Sequence, residues 1–298
     1  MDRNTQSRRT GPWPAGRRGA AALWCAALAT TLAACSAAGA AVDPDGTGTQ
    51  ARPALPQPQK SAVPAETRLP SMGVLLDGGG HWCSASVVDS PKGNVVVTAA
   101  HCVFDDEGAP MKDFSFAPGF HGKDKGTAPE GTWKVRAVQV GGAWPPPDDS
   151  DDSSDQDDSD AAQTAADSTD FAFLTLDPDA KGRQVQQVVG AEVPDWNSKA
   201  ERRVTVFGYP NAEHNPDNHP IACTTDTTKD PDLDGSMLME CGGFFDGTSG
   251  GPWLADYRDA GHRGRIIGVT SGGDTDAETT AVVFDDAAKA LYEKAARA

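Results

Sequence analysis

No two cysteines in this chain are spaced as Cys-x-x-Cys, so the commonest structural metal sites are missing. Basic residues are scarce, with 26 Lys and Arg against 43 Asp and Glu. A surface of formal charge -17 repels phosphate backbones and excludes nucleic acid as a partner. Long hydrophobic runs are lacking too. The one extended apolar stretch, from Gly19 to about Ala34, is too short and Ala-rich for a transmembrane span. Apolar residues make up only 38% of the 298 positions, which is low for one compact globule and predicts that part of the chain stays unpacked. No internal repeat is present.

What the N-terminus does contain is an export signal. Arg3, Arg8, Arg9, Arg17 and Arg18 face a single acid, Asp2, and the apolar stretch follows. A basic region before a short hydrophobic one is the pattern of a secretory signal peptide, here residues 1–34. The stretch ends in Leu32-Ala33-Ala34-Cys35, which looks like a bacterial lipobox with Cys35 as the lipidated residue. The alternative is ordinary cleavage after Ala38-Gly39-Ala40, which would discard Cys35. The lipobox is preferred because it accounts for an otherwise unpaired exported cysteine. Residues 35–68, rich in Ala, Pro, Gly, Thr and Gln, are expected to form a disordered stalk.

From about Leu69 to residue 298 the pattern is of short β-type runs. They include Gly73 to Leu76, Val95 to Thr98, Trp133 to Val140, Phe171 to Leu176, Val204 to Phe207, Arg265 to Val269 and Ala281 to Phe284. Gly, Pro, Asn and Asp clusters separate them, as in an all-β barrel or sandwich. At the C-terminus Ala288, Leu291, Tyr292 and Ala295 share one helical face and Asp285 can cap its start, predicting a short terminal helix. Residues 145–169 carry eight aspartates between Asp148 and Asp160. Like charges at that density predict a disordered, solvated insertion, and the stretch lacks the Gly and Glu positions of an EF-hand calcium loop.

Three segments carry chemistry. Asp246-Gly247-Thr248-Ser249-Gly250-Gly251-Pro252 surrounds a serine with glycines, which suits a nucleophile whose own backbone N–H lines an oxyanion hole, although a Gly-rich turn reads similarly. Val97-Thr98-Ala99-Ala100-His101-Cys102 puts a histidine at the end of an apolar strand. Cys102 can pair with Cys83 and clamp that histidine's loop. In Ser168-Thr169-Asp170-Phe171-Ala172 an aspartate directly precedes a strongly apolar strand, where it could fix a histidine tautomer. Asp167 and Asp177 compete, but only Asp170 adjoins the run. His214, Asp217 and His219 could in principle bind a metal; their Pro- and Asn-rich surroundings favour a solvated loop, so neither metal nor cofactor is expected.

Taken together, and in the order His, Asp, Ser with separations of 69 and 79 residues, these motifs resemble the chymotrypsin-like (trypsin-like) serine peptidases. The bacterial trypsin-like and glutamyl-endopeptidase-like subgroup shares features such as Phe207-Gly208-Tyr209-Pro210 and Phe116-Ala117-Pro118-Gly119-Phe120. The resemblance implies two six-stranded antiparallel β-barrels with the site in the cleft between them. It implies Ser249 as nucleophile, His101 as general base and acid, Asp170 as orienting carboxylate, and the N–H groups of Gly247 and Ser249 as oxyanion hole. It also implies substrate contacts at Gly243, Thr270, Ser271 and Gly272, and a second disulfide, Cys223 with Cys241. The expected protein is a monomeric secreted endopeptidase acting on proteins or peptides, touching a membrane only through a lipid anchor. A catalytically silent surface lipoprotein using the same fold for binding is the alternative.

Departures from the family pattern matter. Thr248 stands where animal digestive enzymes carry the aspartate that receives the freed N-terminal ammonium, so activation by that ion pair is not expected. Gly243 replaces the aspartate with which trypsin binds Lys or Arg, and no histidine of the glutamyl-specific kind lies near Thr270. Neither a basic nor an acidic P1 residue is therefore supported.

Overall fold

The computed structural model describes residues 61–65, 69–78, 80–105, 107–146, 156–273 and 275–298. The first strands are β1 (Val63–Pro64), β2 (Met72–Asp77), β3 (Gly80–Val88), β4 (Val95–Thr98), β5 (Ser115–Pro118) and β6 (Trp133–Val140). Helix α1 (Gln156–Asp167), strand β7 (Ala172–Leu176), helix α2 (Val185–Val189) and strand β8 (Val193–Pro194) follow. The chain then runs through β9 (Arg203–Gly208), β10 (Ile221–Lys229), β11 (Ser236–Glu240), β12 (Pro252–Ala255), β13 (Arg265–Thr270), β14 (Glu278–Val283) and helix α3 (Asp286–Arg297).

Strands β2-β3-β4-β7-β6-β5 close into one six-stranded antiparallel barrel. The second barrel runs β9-β10-β11-β14-β13-β12 and closes where β12 pairs with β9. Closure leaves neither barrel with an open edge. The all-β, two-barrel expectation therefore holds.

The apolar runs of β4 and β7 follow from burial on both faces. Successive side chains on a strand point to opposite sides. Val96, Ala172 and Leu174 enter the core of the first barrel with Leu75, Phe116 and Trp133. Val95, Val97, Phe171 and Phe173 enter a different layer, shared with Phe207, Tyr209, Ile266 and Val269 of the second barrel and with α3. That shared layer fixes one barrel against the other. Strand β6 touches solvent on one side and alternates accordingly, with Trp133 buried and Lys134 exposed. Helix α3 is capped by Asp285, whose carboxylate accepts from the N–H groups of Ala287 and Ala288, and it buries Ala288, Leu291 and Ala295.

Two expectations need correction. Folded structure begins before Leu69: Val63 and Pro64 pair with Ala222 and Ile221 of β10, and Ala62 N donates to Gly242 O at 2.9 Å. A two-residue strand has no periodicity to betray it. The acidic insertion is also not all loop, because residues 156–167 form α1. Ala161, Ala162, Ala165 and Ala166 are strong helix formers, and Ala166 buries itself against Trp144. The signal, Cys35, the rest of the stalk and residues 147–155 lie outside the described residues.

Candidate active site

The three chemical segments meet where the barrels touch. Strand β4 ends at Thr98 and the chain turns through a single 3-10 turn, His101–Val103. Cys102 in that turn is disulfide-bonded to Cys83 of β3, with Cα atoms 6.1 Å apart. Asp170 lies just before β7, buried to 2% exposure. Because β4 and β7 are paired neighbours, Thr98 facing Ala172, the two strand ends bring His101 and Asp170 together.

Their contact is double. His101 Nδ1 lies 2.8 Å from Asp170 Oδ2, and His101 backbone N donates to Asp170 Oδ1 at 3.0 Å. An ionised carboxylate only accepts, so Nδ1 carries the proton and Nε2 is left as the acceptor. Ser271 Oγ also donates to Asp170 Oδ2. Burial works against the charged form of Asp170, but His101 and the hydrogen bonds from His101 and Ser271 outweigh it and hold the carboxyl below its usual range. Burial likewise works against the imidazolium. The Asp170 charge and hydrogen bond, helped by Asp167, prevail and raise His101 above its usual value. Trp144 flanks the imidazole, ring centroids 6.4 Å apart, and is anchored by Nε1 donating to Ala166 O at 2.8 Å.

The serine comes from the other barrel, on the loop entering β12. Each carbonyl from Phe245 to Ser249 has a donor: Phe245 O accepts from Thr248 N (3.1 Å), Asp246 O from Asn211 N (2.6 Å), and Gly247 O from Ser84 Oγ (2.9 Å). Thr248 O accepts from Gly251 N (2.9 Å) and Ser249 O from Ser84 N (2.8 Å). Among the N–H groups, Thr248, Gly250 and Gly251 donate internally. The peptide is planar and trans, so its N–H points opposite to its carbonyl. With Asp246 O turned to Asn211 and Thr248 O turned to Gly251, the N–H groups of Gly247 and Ser249 face the other way.

Two glycines are required here. Gly247 has φ +93°, and a Cβ on it would lie 2.8 Å from both Asn211 N and Tyr209 O. Gly250 has φ +78°, and its Cβ would fall 2.2 Å from Thr98 Oγ1 and 2.3 Å from Ser84 O. At Gly250 the two barrels meet backbone to backbone.

The second disulfide, Cys223 to Cys241, ties β10 to the segment leading to the serine. The four residues expected to touch substrate fare unevenly. Thr270 is buried and fully engaged: Oγ1 accepts from Trp253 Nε1 at 2.9 Å, its N–H donates to Gly251 O, and its carbonyl accepts from Gly250 N. Its N–H and carbonyl both hold the serine loop. Ser271 spends its hydroxyl on Asp170. Gly272 accepts from Thr280 N at 2.7 Å, and Gly243, with φ +101°, lies beside Ala62. His214 stacks on Phe245, centroids 4.0 Å apart.

Sequence reasoning missed Ser84 and Trp144. The only trace of Ser84 is a run of small residues, Ser84-Ala85-Ser86, in an otherwise apolar strand, which signals a close neighbour but not which one.

Comparison with known proteins bears on the fold and the family. No curated protein sequence matches the chain. Among solved structures, the protease Anisep from Arthrobacter nicotinovorans superposes with a TM-score of 0.62 at 23% identity, covering 79% of this chain and 99% of that one. The thermostable serine protease AL20 from an extremophilic microorganism gives 0.60 at 26% identity, covering 76% and 97%. A Glu endopeptidase gives 0.59 at 18% identity, covering 80% and 98%. The model of the trypsin family matches residues 59–291, and the chain belongs to that family.

Proposed function

We propose that this protein is an exported serine endopeptidase in which His101, Asp170 and Ser249 form the catalytic triad. The observation that carries the proposal is the double contact of Asp170 with His101, which occupies Nδ1 and leaves Nε2 as the ring nitrogen available to act as a base. Nε2 takes the proton of Ser249 Oγ as that oxygen attacks the scissile carbonyl, then delivers it to the leaving amine. Asp170 stays ionised and stabilises the imidazolium. The N–H groups of Gly247 and Ser249 receive the developing oxyanion, and water hydrolyses the acyl-enzyme by the same steps in reverse. Gly243, Phe244 and Phe245 offer no ionised partner, so a neutral P1 residue is the expected substrate feature. The two disulfides support an oxidising, extracytoplasmic location. Residues 1–34 serve as the signal, and Cys35 as the lipid-bearing N-terminus.

An organophosphonate serine probe tests the assignment. It should label the parent at Ser249, and Ser249→Ala and His101→Ala should each lose both labelling and peptide hydrolysis while keeping the parent's far-UV spectrum. An unlabelled, inactive parent would leave the silent binding protein as the better account, and near-normal turnover by Ser249→Ala would overturn Ser249 as the nucleophile.

A further inference from the structure

Gly247 is the weak point of the proposed oxyanion hole. Its N–H must point at the substrate, and the peptide that carries it is held directly by one contact, Asn211 N donating to Asp246 O at 2.6 Å, while a glycine at φ +93° adds little steric resistance of its own. A rotated Asp246–Gly247 peptide would present a carbonyl where a donor is needed. Two hydroxyls bracket this residue. On the N-terminal side Thr248 Oγ1 donates to Phe245 O at 2.8 Å, doubling the turn hydrogen bond that Thr248 N makes to the same oxygen. On the C-terminal side Ser84 Oγ donates to Gly247 O at 2.9 Å and accepts from Tyr209 N at 2.8 Å, so the hydroxyl is fixed at both ends. Ser84 is 0% exposed and Thr248 3%. Water cannot stand in for either hydroxyl, and Gly247 O would be left as a buried acceptor without Ser84 Oγ.

We infer that Ser84 and Thr248 are positioning residues that hold the Gly247 N–H in register, the first from the opposite barrel and the second from within the turn. This rests on the peptidase assignment and deepens it. Thr248 thus replaces an ion pair with a self-contained hydrogen bond. Neither residue touches substrate, so neither should affect ground-state binding. Both act on a donor that matters when charge develops on the carbonyl oxygen, so their loss belongs in kcat. Removing an oxyanion donor outright costs about 10²- to 10³-fold, so loosening one should cost about ten- to a hundredfold.

The test uses Ser84→Ala, Thr248→Val, the double variant and Thr248→Ser, assayed on a fluorogenic peptide that the parent cleaves and by the rate of phosphonate labelling. Each of the first two should lower kcat about ten- to a hundredfold with KM within about twofold, and slow labelling in proportion. The double variant should lose less than the product of the singles, because both act on one glycine. Thr248→Ser keeps the hydroxyl and should retain kcat within about twofold of the parent. Should Ser84→Ala not fold, the Val and Ser variants at Thr248 still read the same expectation. A parent that labels at Ser249 beside variants of unchanged kcat, or variants that raise KM alone, would overturn the inference and leave the peptidase assignment standing. Thr248→Ser impaired beside a Thr248→Val of normal kcat would overturn it too, because the methyl packed on Gly208, which Val keeps and Ser lacks, would then be the relevant group. A parent that does not label at all would instead overturn the assignment beneath it.

Discussion

Substituting Glu192 should reverse part of the protein's stability profile with pH. Its side chain is fully buried in the segment joining the barrels, where its N–H donates to Val87 O and its carbonyl accepts from Asp89 N. Oε1 accepts from Ser71 Oγ and lies 3.6 Å from Arg263 Nη1, while Oε2 has no partner among the described residues. Burial dominates over the help from Ser71 and Arg263 and raises the carboxyl from 4.5 to about 7. The sign follows directly. Below the unfolded value both states hold the proton and the group contributes nothing to pH dependence. As pH rises the unfolded chain ionises first, so stability falls until the folded carboxyl ionises as well, at about 7. At 1.36 kcal/mol per unit, the loss across that window is about 3 kcal/mol. Glu192→Gln keeps the shape and an acceptor for Ser71 but cannot ionise. It should exceed the parent by less than about 1 kcal/mol at pH 5 and by about 3 kcal/mol at pH 8, the latter roughly 6–12 °C in Tm for a domain of this size. Thermal unfolding from pH 5 to 8, in a Ser249→Ala background to suppress autolysis, measures the difference and cancels every other titrating group. Parallel curves for the two proteins would refute the reasoning.

Other consequences follow from the site. Because Asp170 and Asp167 hold His101 above its usual 6.5 and only neutral imidazole is a base, the acid limb of kcat/KM should lie above pH 6.5; Asp167→Asn should move it downward in a pH–rate profile. Replacing Cys83 and Cys102 together by Ala or Ser should lower stability by about 2–4 kcal/mol in urea unfolding and reduce kcat, since Cys102 adjoins His101. Exchanging the eight aspartates of residues 148–160 for Asn should lower kcat/KM for basic peptides at low salt only; equal ratios of basic to acidic substrates at every salt concentration would remove any role in selection. Cys35→Ala should release the protein from the membrane fraction, whereas an N-terminus at Ala41 on the native protein would mean ordinary cleavage.

What was legible in the sequence and what was not have physical causes. His101, Asp170 and Ser249 each adjoin a strand with a strong apolar or glycine signature, so local pattern singled them out as candidates. The double burial of β4 and β7 was visible for the same reason, as apolar runs without alternation. The hydrogen bond of Thr270 Oγ1 to Trp253 was not legible, because a strand's direction can be read from sequence but the partners of one hydroxyl cannot; Trp253 reaches it from 17 residues away. Helix α1 was hidden because the dense aspartates before it outweigh its alanines in any charge count, while its docking depends on Trp144 across a sequence gap of 22 residues. Ser84 could not be found at all. Its partners Gly247 and Ser249 lie more than 160 residues further along the chain, and a small buried serine resembles ordinary strand filler.

That distance is the point at which fold and chemistry join. Catalysis by the proposed triad would need the serine oxygen and the imidazole in register, yet they belong to different barrels. A shared apolar layer alone would allow sliding, because dispersion contacts are not directional. The directional constraint comes from polar contacts at one seam. Ser84 N and Oγ grip two carbonyls of the serine loop, Thr98 Oγ1 donates to Ser84 O at 2.9 Å, and Gly250 approaches both residues more closely than any side chain would permit. On the other side of Ser84, Cys83 is bonded to Cys102, the neighbour of His101. One short segment of β3 therefore holds the serine loop by hydrogen bonds and the histidine turn by a covalent bond. A shift of that segment moves both halves of the site together, which preserves their spacing where independent anchors would not.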